Sequence, residues 1–273
     1  MLKDRVVTAL LLLAGLLGAV FLLPAIAWLA LCAALCGLAA WEWGGLARFD
    51  RPLRMSTAVV FAVSCLMLGY LTGLGSGTLA GTPLLLPLYA ISALFWMFVV
   101  PMWLLRKWPL DKPMLASLVG FIVLIPTALA LAHLRVVGPW VLLGTMAVVW
   151  VADIAAYFTG RTLGRNKLAP TISPGKTWEG AMGAVAAVLL YGIGVLVWLG
   201  AGQAGGALVI GLALVTWTAL SIIGDLFESL LKRQAGFKDS GSILPGHGGI
   251  LDRIDSLTSS LPIVALVFVL LSH

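Results

Sequence analysis

Charge is scarce in this sequence. Only 10% of its 273 residues are Asp, Glu, Lys or Arg, while 61% are hydrophobic and the mean hydropathy is +1.08. A soluble domain of this length needs more polar residues than that to cover its exterior, so a soluble globular fold is excluded. Cysteine is nearly absent: Cys32, Cys36 and Cys65 all lie in apolar runs with no neighbouring His. Neither a zinc site nor a disulfide framework is expected, and packing inside helices accounts for all three. Strict apolar/polar alternation is missing, which excludes a membrane β-barrel and leaves helices as the spanning elements. A P-loop is missing too. Gly175-Lys176-Thr177 suggests one, but the glycine required five residues before Gly175 is Pro170, and no strand precedes it.

What the sequence does have is a series of apolar runs of about 18 to 22 residues, the length that crosses a hydrocarbon layer about 30 Å thick. We read nine spans, roughly 6–23, 25–47, 57–74, 84–105, 114–133, 139–159, 179–200, 206–228 and 257–272. The expected fold is all-α, a polytopic integral membrane helical bundle. The first run has a basic start and an Ala25-Ile26-Ala27 resembling a cleavage site, but it is long for a signal peptide and a second span follows at once. The cationic residues agree with the count. Lys3/Arg5, Arg48/Arg51/Arg54, Arg106/Lys107/Lys112, Arg161/Arg165/Lys167/Lys176 and Lys232/Arg233/Lys238/Arg253 fall in alternate connections, and the opposite ones hold only Arg135. By the positive-inside rule the N-terminus and all five basic regions are expected in the cytoplasm.

Charge also divides the chain lengthwise. Asp153, Glu179, Asp225, Glu228, Asp239, Asp252 and Asp255, seven of the eleven acidic residues, lie beyond residue 150. Residues 1–135 read as scaffold helices, and 136–273 as further helices with cytoplasm-facing catalytic loops. No internal repeat or low-complexity linker is evident. Asp153 and Asp225 fall within spans, where a carboxylate is costly and faces a partner or a polar cavity. Asp225 shares a helix face with Ser221, Glu228, Ser229 and Lys232. A structural ion pair at the membrane edge is the plainer alternative for these carboxylates. In TISPGKTWEG, Ser173 and Thr177 are hydroxyls able to cap the next helix, and Lys176 can hold a phosphate or extend to lipid headgroups.

The densest polar stretch is KDSGSILPGHGGILDRID, Lys238 to Asp255. Gly246, Gly248 and Gly249 flank His247, so backbone N–H groups can approach an anion closely. A helix follows, with Asp252 and Asp255 on one face of its first turn, where acids also complement the helix dipole. That dipole effect leaves Lys238, Asp239 and Arg253 unexplained. Carboxylates among cations and glycines suit a metal-bound phosphate, the carboxylates meeting the metal and the cations and N–H groups the outer oxygens. His247 can donate to phosphate, act as a base or simply complete the turn. A phosphomonoester is already largely dianionic near neutral pH, so a positioning role is favoured.

From Ser229 the chain reads S-L-L-K-R-x4-K-D and then P-G-H-G-G-I-L-D-R-I-D. This resembles the signature of the phosphatidate cytidylyltransferase (CDP-diacylglycerol synthase) family. It matches at Ser229, Lys232, Arg233, Lys238, Asp239, Pro245, His247, Gly248, Gly249, Asp252, Arg253 and Asp255. The block from Asp153 through SPGKTWEG is similar as well; the first half adds hydropathy and a short AAWEWG, Ala39 to Gly44. The resemblance implies a Mg²⁺-dependent transfer in phospholipid biosynthesis: CTP and phosphatidate give CDP-diacylglycerol and pyrophosphate. It also implies a K⁺ beside the Mg²⁺, a homodimer, no nucleic-acid partner, and a bacterial inner membrane with the site facing the cytoplasm. By position, Asp225 and Asp252 match the family's metal-binding acids.

Under this expectation Lys238, Arg253 and Lys176 neutralise phosphates, Asp239 and Asp255 are further ligands or orient those cations, and Ser173, Thr177, Lys232, Arg233, His247, Gly248 and Gly249 bind substrate. Two other readings compete. A phosphatidyltransferase that consumes CDP-lipids carries D-G-x2-A-R…G…D…D, which is absent here. A transporter using Asp153 and Asp225 is disfavoured because both lie toward the cytoplasmic ends of their spans.

Overall fold

A computed structural model describes residues 2–198, 204–243 and 248–271, with side chains from residue 10 onward and excluding those of 204, 205 and 207. The chain folds as a helical bundle in which α1 (Leu2–Leu22), α2 (Ala25–Leu46), α3 (Arg51–Leu71), α4 (Leu86–Leu94), α5 (Val100–Arg106), α6 (Pro113–Val137) and α7 (Pro139–Leu163) follow one another. A short hairpin, β1 (Lys167–Ala169) and β2 (Ser173–Thr177), then leads to α8 (Trp178–Trp198), α9 (Ala204–Ala235) and α10 (Leu251–Leu271). Eight segments among the described residues are long and apolar enough to cross a membrane, and Leu10–Leu22 is a shorter apolar helix.

The fourth of the nine apolar runs, near residues 84–105, is not one regular helix. It starts with a 3₁₀ turn at Thr82–Leu85 and passes through a π-helical turn at Phe95–Val99 before α5. Pro101, in the first turn of α5, explains the latter. Its nitrogen carries no hydrogen and its ring crowds the carbonyl four residues back, so the preceding turn widens.

One buried core extends from Val20 to Val269 and draws on both halves of the sequence. A smaller one, Val148, Ala152, Ala184 and Val188, joins α7 to α8. Those two helices approach closely because of small residues: a Cβ on Gly180 would stand 2.8 Å from the Ala156 carbonyl oxygen, and one on Gly183 would strike Thr159. The three cysteines are buried, free thiols.

Two contacts set the position of α9. Phe227 is enclosed edge-on by Trp96 and Trp103, each with ring centroids 5.6 Å away, and by Phe95 at 6.0 Å. A Cβ at Gly224, also on α9, would lie 2.5 Å from Ser259 Oγ and 2.7 Å from the Asp255 carbonyl oxygen, both on α10. Only glycine lets α9 and α10 meet there. The Phe227 anchor and this close crossing fix α9 in rotation and depth, and with it Asp225.

Three of the connections rich in basic residues, those after α2, α5 and α9, meet. Arg48 Nη2 donates to the Gln234 carbonyl at 2.9 Å, and Gln234 Nε2 donates to the carbonyls of Lys107 and Trp108 at 3.1 and 3.0 Å. At the start of α1's connection to α2, Arg135 is pinned instead by the carbonyls of Val20 and Leu23.

Candidate functional site

Between α7, the hairpin, α8, α9 and the start of α10 lies a cavity of about 680 Å³. Asp225, Asp252 and Asp255 reach it from α9 and α10, and Ser173, Lys176 and Thr177 from β2. Asp153 lines it from α7, joined by two residues that sequence reasoning did not connect with this site, Tyr157 and Arg161. Arg161 Nη1 donates to the Tyr157 hydroxyl at 2.8 Å, so the two rim side chains orient each other.

Local rules explain much of this. Thr177 Oγ1 accepts from Gly180 N at 3.1 Å and caps α8, as its position before the helix foretold. The hairpin is an addition to the all-α expectation: Lys167 pairs with Thr177 and Ala169 with Ser173, antiparallel. It carries Lys176 across to α9, where Nζ stands 2.6 Å from Asp225 Oδ2. Asp225 Oδ1 accepts from Ser229 Oγ at 3.2 Å, one turn along the face anticipated from spacing.

Asp252 is held from three sides. Lys232 Nζ donates to Oδ1 at 2.6 Å, and the amides of Ser240 and Gly249 donate to Oδ2 at 2.9 Å each. Gly248 (φ +80°) passes so near that a Cβ there would lie 2.8 Å from the same oxygen. Glycine is required by both the backbone angle and the space. Glu228 is buried beside this pair, 3.5 Å from Lys232.

The remaining expected site residues that are described do not line the cavity. Lys238, Asp239, Arg233 and Arg253 are exposed around the stretch between α9 and α10. Gly248 and Gly249 act through Asp252. His247, with Leu244, Pro245 and Gly246, lies outside the described residues.

Sequence reasoning also passed over Glu42 on α2, which is fully buried yet accepts hydrogen bonds from Ile250 N, Leu251 N and Ser240 Oγ. The signal available was a lone carboxylate inside the apolar run AAWEWG.

The charge balance of the cavity limits what it can take. Four carboxylates, Asp153, Asp225, Asp252 and Asp255, line it with two cations, Lys176 and Arg161, and a third cation, Lys232, stands 2.6 Å from Asp252 behind the wall. Asp255 lies within electrostatic reach of both Asp225 and Asp153. Carboxylates still outnumber cations here, so the cavity by itself offers a polyphosphate little net attraction. Among the described residues no group of three or more His, Cys, Asp or Glu side chains converges into a ready metal cage. Mg²⁺ does not require one: it commonly takes one or two carboxylates and completes its shell with water and substrate phosphates. The donor set therefore fits Mg²⁺.

A model of the cytidylyltransferase family matches residues 3–271 of the chain. A phosphatidate cytidylyltransferase of Pseudomonas aeruginosa is 40% identical, over 97% of this chain and 96% of its own length. One from Haemophilus influenzae is 36% identical over 96% of each chain, and one from Brucella suis is 52% identical over 44% of this chain and 43% of its own.

Proposed function

The chain belongs to the cytidylyltransferase family, and on that premise we propose that it transfers the cytidylyl group of CTP to phosphatidate, giving CDP-diacylglycerol and pyrophosphate. The observation that carries the reading is the excess of carboxylates in a cavity of a membrane bundle. Such a site takes two polyanions more readily when a cation accompanies them. Asp225 and Asp252 are the residues that would hold Mg²⁺, with K⁺ as a second ion of the same cavity. When bound, the Mg²⁺ neutralises phosphate charge and stabilises the charge that develops during in-line displacement.

The protein's own groups do the rest. Lys176 and Arg161 meet phosphate oxygens, and Ser173 offers a hydroxyl donor on the hairpin. A phosphatidate oxygen attacks the α-phosphorus of CTP, forming the new P–O bond as the bond to the β-phosphate oxygen breaks, and pyrophosphate carries away that electron pair. The nucleophile is already ionised near neutral pH, so the step needs no protein base. Lys238 and Arg253 are exposed and suited to meeting nucleotide or headgroup phosphate on approach. Asp239, Lys232, Arg233 and His247 complete the proposed set.

Sidedness follows from charge. The N-terminus, the basic connections and the cavity face the cytoplasm by the positive-inside rule. CTP arrives there while the acyl chains of phosphatidate stay in lipid. Bacterial relatives support an inner-membrane location, and a homodimer is the assembly to test by light scattering of the detergent-solubilised protein.

The deciding experiment is pyrophosphate release by purified, monodisperse protein with CTP and phosphatidate, with and without Mg²⁺. Release that requires both substrates and the metal is expected. A well-folded preparation that releases none overturns the reading.

A further inference from the structure

We propose that Glu42, in the half of the chain that reads as scaffold, is a positioning residue for the reaction, setting the geometry of Asp252 through Ser240 and the first turn of α10. The inference rests on the reading of Asp252 as a cation-holding residue.

Glu42 is 0% exposed, and both of its oxygens are occupied. Oε1 accepts from Ile250 N at 3.0 Å; Oε2 accepts from Leu251 N at 2.8 Å and from Ser240 Oγ at 3.1 Å. These donors are the segment that presents Asp252. Ile250 and Leu251 stand immediately before it, and their amides are among the first-turn donors that a helix leaves unpaired.

Ser240 is the second link. Its hydroxyl donates to Glu42 and accepts from Asp252 N at 3.3 Å, while its own amide donates to Asp252 Oδ2 at 2.9 Å. Asp252 is thus bracketed at its amide and its carboxylate by a residue that Glu42 holds.

The fit is tight. A Cβ on Gly249 would stand 2.5 Å from Glu42 Oε2, and one on Gly241 would collide with Oε1, so the loop closes over the carboxylate with no room to spare. A helix cap alone does not need a full charge from a helix forty positions into the chain. Here that charge orders the two amides and the hydroxyl on which the Asp252 rotamer depends. Partners one hydrogen bond removed from a metal ligand, as Ser240 is from Asp252, commonly change metal affinity or activity about ten- to hundredfold when altered, and Glu42 acts through that link.

The test compares the full-length wild type with Glu42→Gln, Ser240→Ala and Gly241→Ala in detergent. Gln keeps the volume but turns an amide donor toward one of the backbone N–H groups. Three quantities are read: the Mg²⁺ concentration for half-maximal activity at fixed CTP, the KM for phosphatidate, and the rise in melting temperature that Mg²⁺ with CTP produces. Hydrogen exchange across residues 248–252 is followed alongside.

The expected result for Glu42→Gln is a half-activating Mg²⁺ concentration raised about tenfold or more. The phosphatidate KM should be unchanged, the melting-temperature rise smaller and exchange at Ile250 and Leu251 faster. Ser240→Ala and Gly241→Ala should shift the same quantities in the same direction, and Ser240→Ala, which removes a hydroxyl and adds no atom, carries the test if Glu42→Gln does not fold. Unchanged Mg²⁺ activation and unchanged ligand-induced stabilisation in the folded variants overturn the proposal, whatever their intrinsic melting temperatures. Failure of the underlying reading shows differently: with Glu42 intact, the wild type would not need Mg²⁺, or Asp252→Asn would keep wild-type activation.

Discussion

Lys232 stands between two carboxylates from different helices, 2.6 Å from Asp252 and 3.5 Å from Glu228. One ammonium therefore balances a residue of the cavity wall and a buried residue behind it. The three side chains are between 5% and 13% exposed. Removing one partner of so buried a group leaves charge unpaired, which costs about 3–5 kcal/mol. Lys232→Met should lower the melting temperature sharply in detergent, more than Asp252→Asn does. A variant as stable as the wild type would show that the pair contributes little.

Lys176 and Asp225 form a looser pair. Their side chains are 24% and 28% exposed, so the contact is worth no more than about 1 kcal/mol. Lys176→Ala should leave the melting temperature within a few degrees of wild type while raising the KM for CTP. An unchanged KM would remove Lys176 from nucleotide binding.

The aspartates themselves should separate function from folding. Asp225→Asn and Asp252→Asn keep shape and lose charge, and each should reduce turnover at least about a hundredfold with the protein still inserted and monodisperse. Near-normal pyrophosphate release by either variant would strike that residue from the cation-holding set.

Gly224 offers a packing test. Its missing Cβ is what allows the Asp255 carbonyl oxygen and Ser259 to come so near, and a backbone atom cannot swing aside. Gly224→Ala should destabilise by about 1–3 kcal/mol and depress activity by parting the helices that carry Asp225 and Asp255. A neutral effect on both would mean that this crossing does not fix the site.

Because the described carboxylates form no complete cage, metal and nucleotide should depend on each other. Chelation should abolish activity reversibly. Mg²⁺ alone should barely move the melting temperature, whereas Mg²⁺ with CTP at about a hundred times its Kd should add about 2.7 kcal/mol of stability. A large shift from Mg²⁺ alone would point to a site assembled without substrate.

Most of the fold could be read in the sequence because hydropathy and the alternation of basic connections depend on composition, which no tertiary contact overrides. Helix ends were less visible. The stretch read as a span over 206–228 continues as α9 to Ala235, since Glu228 and Lys232 pair one turn apart and keep the polar end helical. The hairpin escaped notice because its strands have three and five residues and one contains Pro174 and Gly175, which read as loop. Asp225, Asp252, Asp255, Ser173, Lys176 and Thr177 could be found by spacing and local chemistry, and they meet in one cavity. Glu42 could not. Its partners lie 198 to 209 positions away, and nothing near it in sequence announces them.

That separation also has a consequence in time. A ribosome adding about 5–20 residues per second makes Glu42 well before the Ile250 and Leu251 amides, 208 and 209 positions later, that donate to it. During that interval the carboxylate sits in a newly inserted helix without its eventual donors, and Arg54, its electrostatic neighbour from α3, is the counter-charge already made. The nascent bundle thus carries an unmet acceptor until α10 arrives. Locking that helix and assembling the cavity become one event.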